Sequence, residues 1–185
     1  MKIKYNSPVI LTYSIISFIV ISIDHFLMEN FIESFFTLYP QYENFQLITI
    51  FRLFSYVCGH ADWTHFAGNF YLILLIGPVL EEKYGSRQLG IMMLATALLT
   101  GILTITLFSY GVLGASGIVF MLIILSSVTN FKKGELPVTF VLVVFLYLGK
   151  EIIQSLNPDQ VSQFGHIIGG IFGGIFGFFY SKNKA

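Results

Sequence analysis

One stretch near the carboxyl end decides the fold: GHIIGGIFGGIFG, residues 165–177. Every fourth residue is a glycine (Gly165, Gly169, Gly173 and Gly177), and we call these four the glycine ladder. Residues four apart lie on one face of an α-helix, so this face carries no side chains. Such faces let membrane helices pack backbone against backbone. The stretch therefore predicts a membrane helix that packs closely on a neighbour, with His166 beside the contact.

The composition places the whole chain in a membrane. Of 185 residues, 55% are hydrophobic and only 11% are charged, and the mean hydropathy is +0.78. Soluble domains carry about 25% charged residues. The formal net charge is zero, which argues against a nucleic-acid partner. A single cysteine, Cys58, excludes an intrachain disulfide, and we interpret it as a packed small residue.

The apolar segments predict an all-α membrane protein with six transmembrane helices in one domain, residues 1–185. A span needs about 20 mostly apolar residues. The candidate spans are 8–27, 65–80, 88–109, 113–129, 137–154 and 162–181, and the second can extend inward past Pro78. The segment 28–64 is aromatic and acidic, which suits a first loop that lies in the membrane interface.

The positive-inside rule predicts that both termini are cytoplasmic. With six spans and the amino terminus inside, eight of the ten basic residues face the cytoplasm and two face outward. The inner group is Lys2, Lys4, Lys83, Arg87, Lys132, Lys133, Lys182 and Lys184, and the outer group is Arg52 and Lys150.

Four polar residues then fall at one depth. Spans two, four and six all run inward, and each has polar residues near its outer end: His65 and Asn69, Ser116, and His166. Polar and ionisable residues inside a membrane are functional candidates by default, because hydrocarbon penalises them. Their shared depth follows from the topology alone.

These residue types indicate acyl-transfer chemistry. Ser116 is the candidate nucleophile and His166 the candidate base that takes its proton. No acidic residue is expected at this depth, so the pair is a dyad. Asn69, His65 and the Ser116 backbone N–H can donate hydrogen bonds to an oxyanion.

Residues around the dyad are expected to support it. Small residues at Gly114 and Gly117 leave room for a substrate backbone beside Ser116. If the glycine ladder packs on span four, it brings His166 close to Ser116. Phe120 lies one turn below the serine and can pack on the imidazole ring.

These residues resemble the rhomboid family of intramembrane serine proteases. The resemblance covers residues 8 to 181. Its motifs are His65-x-x-x-Asn69, Gly114-Ala115-Ser116-Gly117, Gly165-His166 with the glycine ladder, and Gly77-Pro78-Val79-Leu80-Glu81-x-x-x-Gly85-Ser86. It implies a Ser116–His166 dyad and an oxyanion hole of His65, Asn69 and the Ser116 amide. It also implies cleavage of single-pass membrane proteins near the outer face, without metal or cofactor.

Two departures from the family pattern are visible. Phe120 stands where the family often has tyrosine, so the ring is kept and the hydroxyl is lost. Phe51-Arg52 stands where the family often has Trp-Arg, so the pair of an aromatic residue and an arginine is kept. Apart from these departures, the family motif favours Glu81 as a structural hydrogen-bond acceptor. Neither departure removes a catalytic atom.

Two other functions remain open from sequence. One is a non-catalytic relative that binds membrane helices, although such a protein should lack the serine or the histidine. The other is a small transporter, since intramembrane His and Asn can line a path, although no inverted repeat is visible. We expect a multi-pass protein of a bacterial plasma (inner) membrane whose partners are the lipid bilayer and single-pass membrane substrates.

Overall fold

The computed structural model describes residues 4–40, 46–128, 138–143, 145–146 and 163–182. Within these ranges the regular elements are helices. They are α1 (Pro8–Phe26), α2 (Phe31–Phe36), α3 (Leu47–Ser55), a 3₁₀ turn (Tyr56–Cys58), α4 (Trp63–Tyr84), α5 (Ser86–Leu107), α6 (Ser116–Val128), α7 (Val138–Val143) and α8 (Gln163–Lys182).

Among the described residues, three helices are long and apolar enough to cross a membrane. They are α1, α4 and α5, with 19, 22 and 22 residues and a hydropathy of 1.9, 1.3 and 2.0. The expected all-α class is therefore confirmed, and the chain is a membrane protein. Only parts of the segment 137–154 are described, and the rest of that expected span lies outside the described residues.

The helix bounds differ from the expected spans where local chemistry sets them. The fourth span was expected at 113–129, but α6 begins at Ser116, because the chain before it pairs with Leu38 at Val112 and turns at Gly114. The second span does continue past Pro78, to Tyr84. Its start is set by Asp62, whose carboxylate accepts the N–H of His65 at 2.7 Å.

The amino-terminal end of α1 is fixed to the carboxyl-terminal end of α4. Both carboxylate oxygens of the buried Glu81 accept backbone N–H groups, from Val9 and Ile10, each at 3.0 Å. A carboxylate at a helix start satisfies orphan donors and complements the helix dipole. The structural role expected for Glu81 is thus confirmed. Close packing of Gly77 on Ile10 continues the contact, since a Cβ on Gly77 would lie 2.6 Å from that side chain.

The first loop is folded and sits on the bundle. It contains α2, α3 and the 3₁₀ turn, and it contacts α1 and α5. Arg52 donates to the carbonyl of Ser34 at 2.6 Å and so links α3 to α2. Leu38 forms an isolated antiparallel bridge with Val112, in the connection that leads to α6. The first loop therefore reaches the chain just before Ser116.

Candidate active site

The close packing predicted for the glycine ladder is confirmed, and the neighbouring helix is α6. A Cβ added to Gly169 would overlap the carbonyl oxygen of Gly117, and one added to Gly173 would overlap that of Met121. A Cβ on Gly117 would in turn lie 3.3 Å from the Gly165 carbonyl oxygen. The backbones of α8 and α6 are therefore in contact, and only glycine permits this approach.

This contact fixes the position of His166 along the axis of α6. The His166 ring is buried and stacks on Phe120, with ring centroids 4.5 Å apart and planes 7° apart. Phe120 lies one turn after Ser116, the first residue of α6, which is half-buried. The expected packing of Phe120 on the imidazole is confirmed. His166 therefore stands beside the first turns of the helix that Ser116 begins.

The α4 residues meet the same end of α6. Gly114 has φ +113°, and a Cβ there would lie 2.8 Å from Cε1 and 2.9 Å from Nε2 of His65. A glycine is needed at this position for two reasons, the positive φ and the contact with the imidazole. The His65 ring thus lies against the chain two residues before Ser116.

One hydrogen bond of the His65 ring indicates which ring nitrogen carries the proton. Nδ1 lies 3.5 Å from the Ala61 backbone N–H, a long contact in which Nδ1 can only accept. In a neutral ring the proton is then on Nε2, the nitrogen on the Gly114 side. His65 therefore presents an N–H donor toward the start of α6.

Asn69 carries a second donor. Its side chain is 8% exposed, and its Nδ2 has no hydrogen-bond partner among the described residues. A buried, unsatisfied amide costs about 1–3 kcal/mol and calls for an explanation. An acceptor supplied by a reacting group would provide one.

A third donor is the backbone at the start of α6. The first N–H groups of a helix lack intrahelical acceptors, and their partial positive charge favours an anion. Ala115 precedes the helix, and its carbonyl accepts the N–H of Val119 at 3.0 Å. The Ser116 N–H is the next amide along the chain.

The sequence indicated that His60 is a loop residue or a hydrogen-bond partner for the loop, and the structure confirms its hydrogen bonds. His60 is 1% exposed, and its Nε2 accepts the Ala115 N–H at 3.3 Å. Burial lowers the pKa of His60 to about 3, so the ring is neutral. The sequence offered one signal, a histidine five residues before His65, but not the contact with a residue 55 positions away.

Cys58 lies beside His60, and its thiol is not a candidate nucleophile. Burial raises the pKa of its thiol to about 11. Since the thiolate is the reactive form, this supports the interpretation of Cys58 as a packing residue. Among the described residues, no group of three or more His, Cys, Asp or Glu side chains could hold a metal ion.

Comparison with known families agrees with these features. A family model described as "Rhomboid domain" matches residues 48–183, well over half of the chain. The chain therefore belongs to the rhomboid family, whose members are generally intramembrane serine proteases. A search among curated proteins found no match.

Proposed function

We propose that this chain is an intramembrane serine endopeptidase that cuts the membrane-spanning segments of single-pass proteins near their outer face. One observation carries the proposal. The backbone contact of the glycine ladder on α6 seats His166 on Phe120, one turn from Ser116. A packing role alone requires the glycines but gives no reason for a buried imidazole at this height.

In this proposal Ser116 Oγ attacks the scissile carbonyl while His166 takes the hydroxyl proton. The carbonyl oxygen becomes an oxyanion that accepts hydrogen bonds from Asn69 Nδ2, His65 Nε2–H and the Ser116 N–H. The C–N bond then breaks, and His166 returns the proton to the leaving amine. Water, activated by His166, hydrolyses the acyl-enzyme and restores Ser116.

The unsatisfied Asn69 amide supports this assignment. Catalytic donors should be placed before the oxyanion exists, so that no reorganisation is needed during the reaction. The Asn69 amide is such a donor, because it is buried in place without a protein acceptor. The free energy lost by leaving it unsatisfied is regained when it donates to the oxyanion.

The expected position of the site within the membrane supports membrane-spanning segments as the substrate class. A helical amide is shielded by its own hydrogen bonds, so a membrane substrate must unwind locally before attack. We propose that substrates with Gly or Pro near the outer face are cut fastest, because these residues weaken a helix. Neither metal nor cofactor enters this mechanism.

We further propose the topology given by the charge distribution: a single domain of six spans, with both termini in the cytoplasm of a bacterial plasma membrane. Single cysteines at positions 2, 52 and 133, in a variant without Cys58, test this topology. A membrane-impermeant maleimide added to intact cells should label position 52 only. Labelling of position 2 or 133 would refute it.

The proposed activity is tested by cleavage of a single-pass substrate in proteoliposomes. We expect the purified protein to cut the substrate and Ser116→Ala to be inactive. The matched control is Ser126→Ala on the same helix, since Ser126 Oγ donates to the Ile123 carbonyl at 2.7 Å and takes no part in the mechanism. Equal cleavage by Ser116→Ala would refute the proposal. Substrate retained without cleavage by the wild type would favour a helix-binding role instead.

A further inference from the structure

The connection that leads into α6 is held by the first loop. Leu38 and Val112 exchange two backbone hydrogen bonds of 2.9 Å, and the Gly114 N–H donates to the Tyr56 carbonyl at 3.0 Å. In the last bond of this series the acceptor is a side chain: the Ala115 N–H donates to His60 Nε2 at 3.3 Å. Residues 112–115 are thus fixed up to the residue before Ser116.

The two hydrogen bonds of His60 determine its tautomer. A backbone N–H can only donate, so Nε2 accepts from Ala115. Nδ1 lies 3.3 Å from the Cys58 carbonyl oxygen, which can only accept, so Nδ1 carries the proton. Both ring nitrogens are therefore used, and the ring has one orientation. Protonation of Nε2 would break the bond to Ala115.

Packing holds the ring in this orientation. His60 makes edge contacts with Phe66 and Phe70, with centroids 5.6 and 5.5 Å away, and with His65 at 5.0 Å. Phe66 and Phe70 are one turn apart on α4 and are stacked at 4.6 Å. The same helix carries His65 and Asn69. His60 therefore connects the α4 donors to the start of α6.

We propose that His60 is a positioning residue for the oxyanion hole, acting through Ala115. The Ser116 N–H belongs to the peptide group between Ala115 and Ser116. Its carbonyl is bonded to the Val119 N–H, while the Ala115 N–H, which belongs to the preceding Gly114–Ala115 peptide group, is bonded to His60. The two peptide groups meet at the Ala115 Cα. Loss of the His60 bond frees the Gly114–Ala115 peptide group, so that rotation about the Ala115 backbone bonds can turn the Ser116 N–H away from the oxyanion. This inference rests on the proposed function.

Two amide variants separate the roles of the two ring nitrogens. In His60→Gln the side-chain carbonyl can reach the position of Nε2 and accept from Ala115. In His60→Asn the shorter amide can replace only Nδ1 and its bond to Cys58. Both variants lose the aromatic contacts equally, so the difference between them reports the bond to Ala115.

We expect His60→Asn to lower kcat by roughly 100-fold, the lower end of the range for loss of one oxyanion donor. KM should change by less than about twofold, because ground-state binding is untouched. His60→Gln should keep kcat within about fivefold of the wild type. Equal losses in both variants, or wild-type kcat in His60→Asn, would overturn the assignment.

A second measurement does not depend on catalysis. Hydrogen exchange at the Ala115 amide should be fast in His60→Asn and slow in His60→Gln and the wild type. Slow exchange in His60→Asn would refute the structural step even if activity fell. If Ser116→Ala still cleaves substrate, the proposed function fails, and exchange at Ala115 decides the His60 contact separately.

Discussion

Replacement of one glycine of the ladder tests how the two halves of the site are joined. A Cβ on Gly169 would overlap the Gly117 carbonyl oxygen and lie 2.8 Å from its carbonyl carbon. Carbon atoms rest about 3.5–4.0 Å apart, so Gly169→Ala requires α8 to withdraw by roughly 1 Å. Gly174 is the matched control, because a Cβ there would meet only Ile124 Cγ2, at 3.9 Å.

The control removes the effect of helix propensity. Alanine is favoured over glycine by about 1 kcal/mol inside a helix, and both variants gain this equally. The difference between them is then the cost of overpacking, about 1–3 kcal/mol. For a chain of 150–250 residues each kcal/mol corresponds to about 2–4 °C in Tm. We expect Gly169→Ala to unfold about 2–12 °C below Gly174→Ala.

In Gly169→Ala, we expect the cleavage rate to fall by more than the loss of stability alone would cause. His166 lies three residues before Gly169, so a withdrawal of α8 moves its ring relative to Ser116. A 1 Å misplacement of a reacting group can cost about 100-fold in rate. Thermal unfolding in detergent and cleavage in proteoliposomes measure the two effects. Equal Tm and equal kcat for the Gly169→Ala and Gly174→Ala variants would refute the close contact.

Three further predictions concern the residues around the starts of α4 and α6. First, burial lowers the pKa of His60 to about 3, with contributions from His65, which lowers it, and Asp62, which raises it. Below the ordinary pKa of about 6.5, His60 binds a proton in the unfolded chain but not in the folded one. The free energy of unfolding therefore decreases as the pH is lowered, by about 2 kcal/mol from this group between pH 7 and 5. Between pH 7 and pH 5 the Tm of the wild type should therefore fall about 4–8 °C more than that of His60→Gln. Parallel curves of Tm against pH for the two proteins would contradict this. Second, Gly114→Ala should lower kcat by at least about 100-fold, because a Cβ strains the positive φ and displaces the His65 ring; wild-type cleavage would exclude the contact. Third, Asn69→Ala should lower kcat by about 100- to 1000-fold while Tm stays equal or rises, since an unsatisfied buried amide is removed; a lower Tm with unchanged kcat would assign Asn69 to packing.

The long-range arrangement was predictable where periodicity and topology determine it. The fourfold spacing of glycines predicted close packing of α8 on a neighbouring helix, which is α6, and the position of Phe120 one turn after Ser116 predicted that its ring can pack on His166. Both predictions are confirmed by the contacts of these residues. The alternation of spans also predicted that α4, α6 and α8 meet with their polar ends together.

The parts that sequence did not predict depend on loop conformation. The contact of His60 with Ala115 joins residues 55 positions apart through an irregular segment, and no periodicity encodes such a contact. The start of α6 at Ser116 also differs from the expected 113. Its cause is the extended chain that pairs with Leu38 and the turn at Gly114. Both features place Ser116, the proposed nucleophile, at a helix start, where backbone donors are available.

The most direct test of the central claim is covalent labelling of Ser116. A fluorophosphonate reacts with a serine only when a base and an oxyanion hole activate it, and mass spectrometry locates the modified residue. We expect one label, on Ser116, which is absent in Ser116→Ala and slowed by at least about 100-fold in His166→Ala. Labelling of another serine, or unchanged labelling in His166→Ala, would contradict the assignment of these two residues as the catalytic dyad.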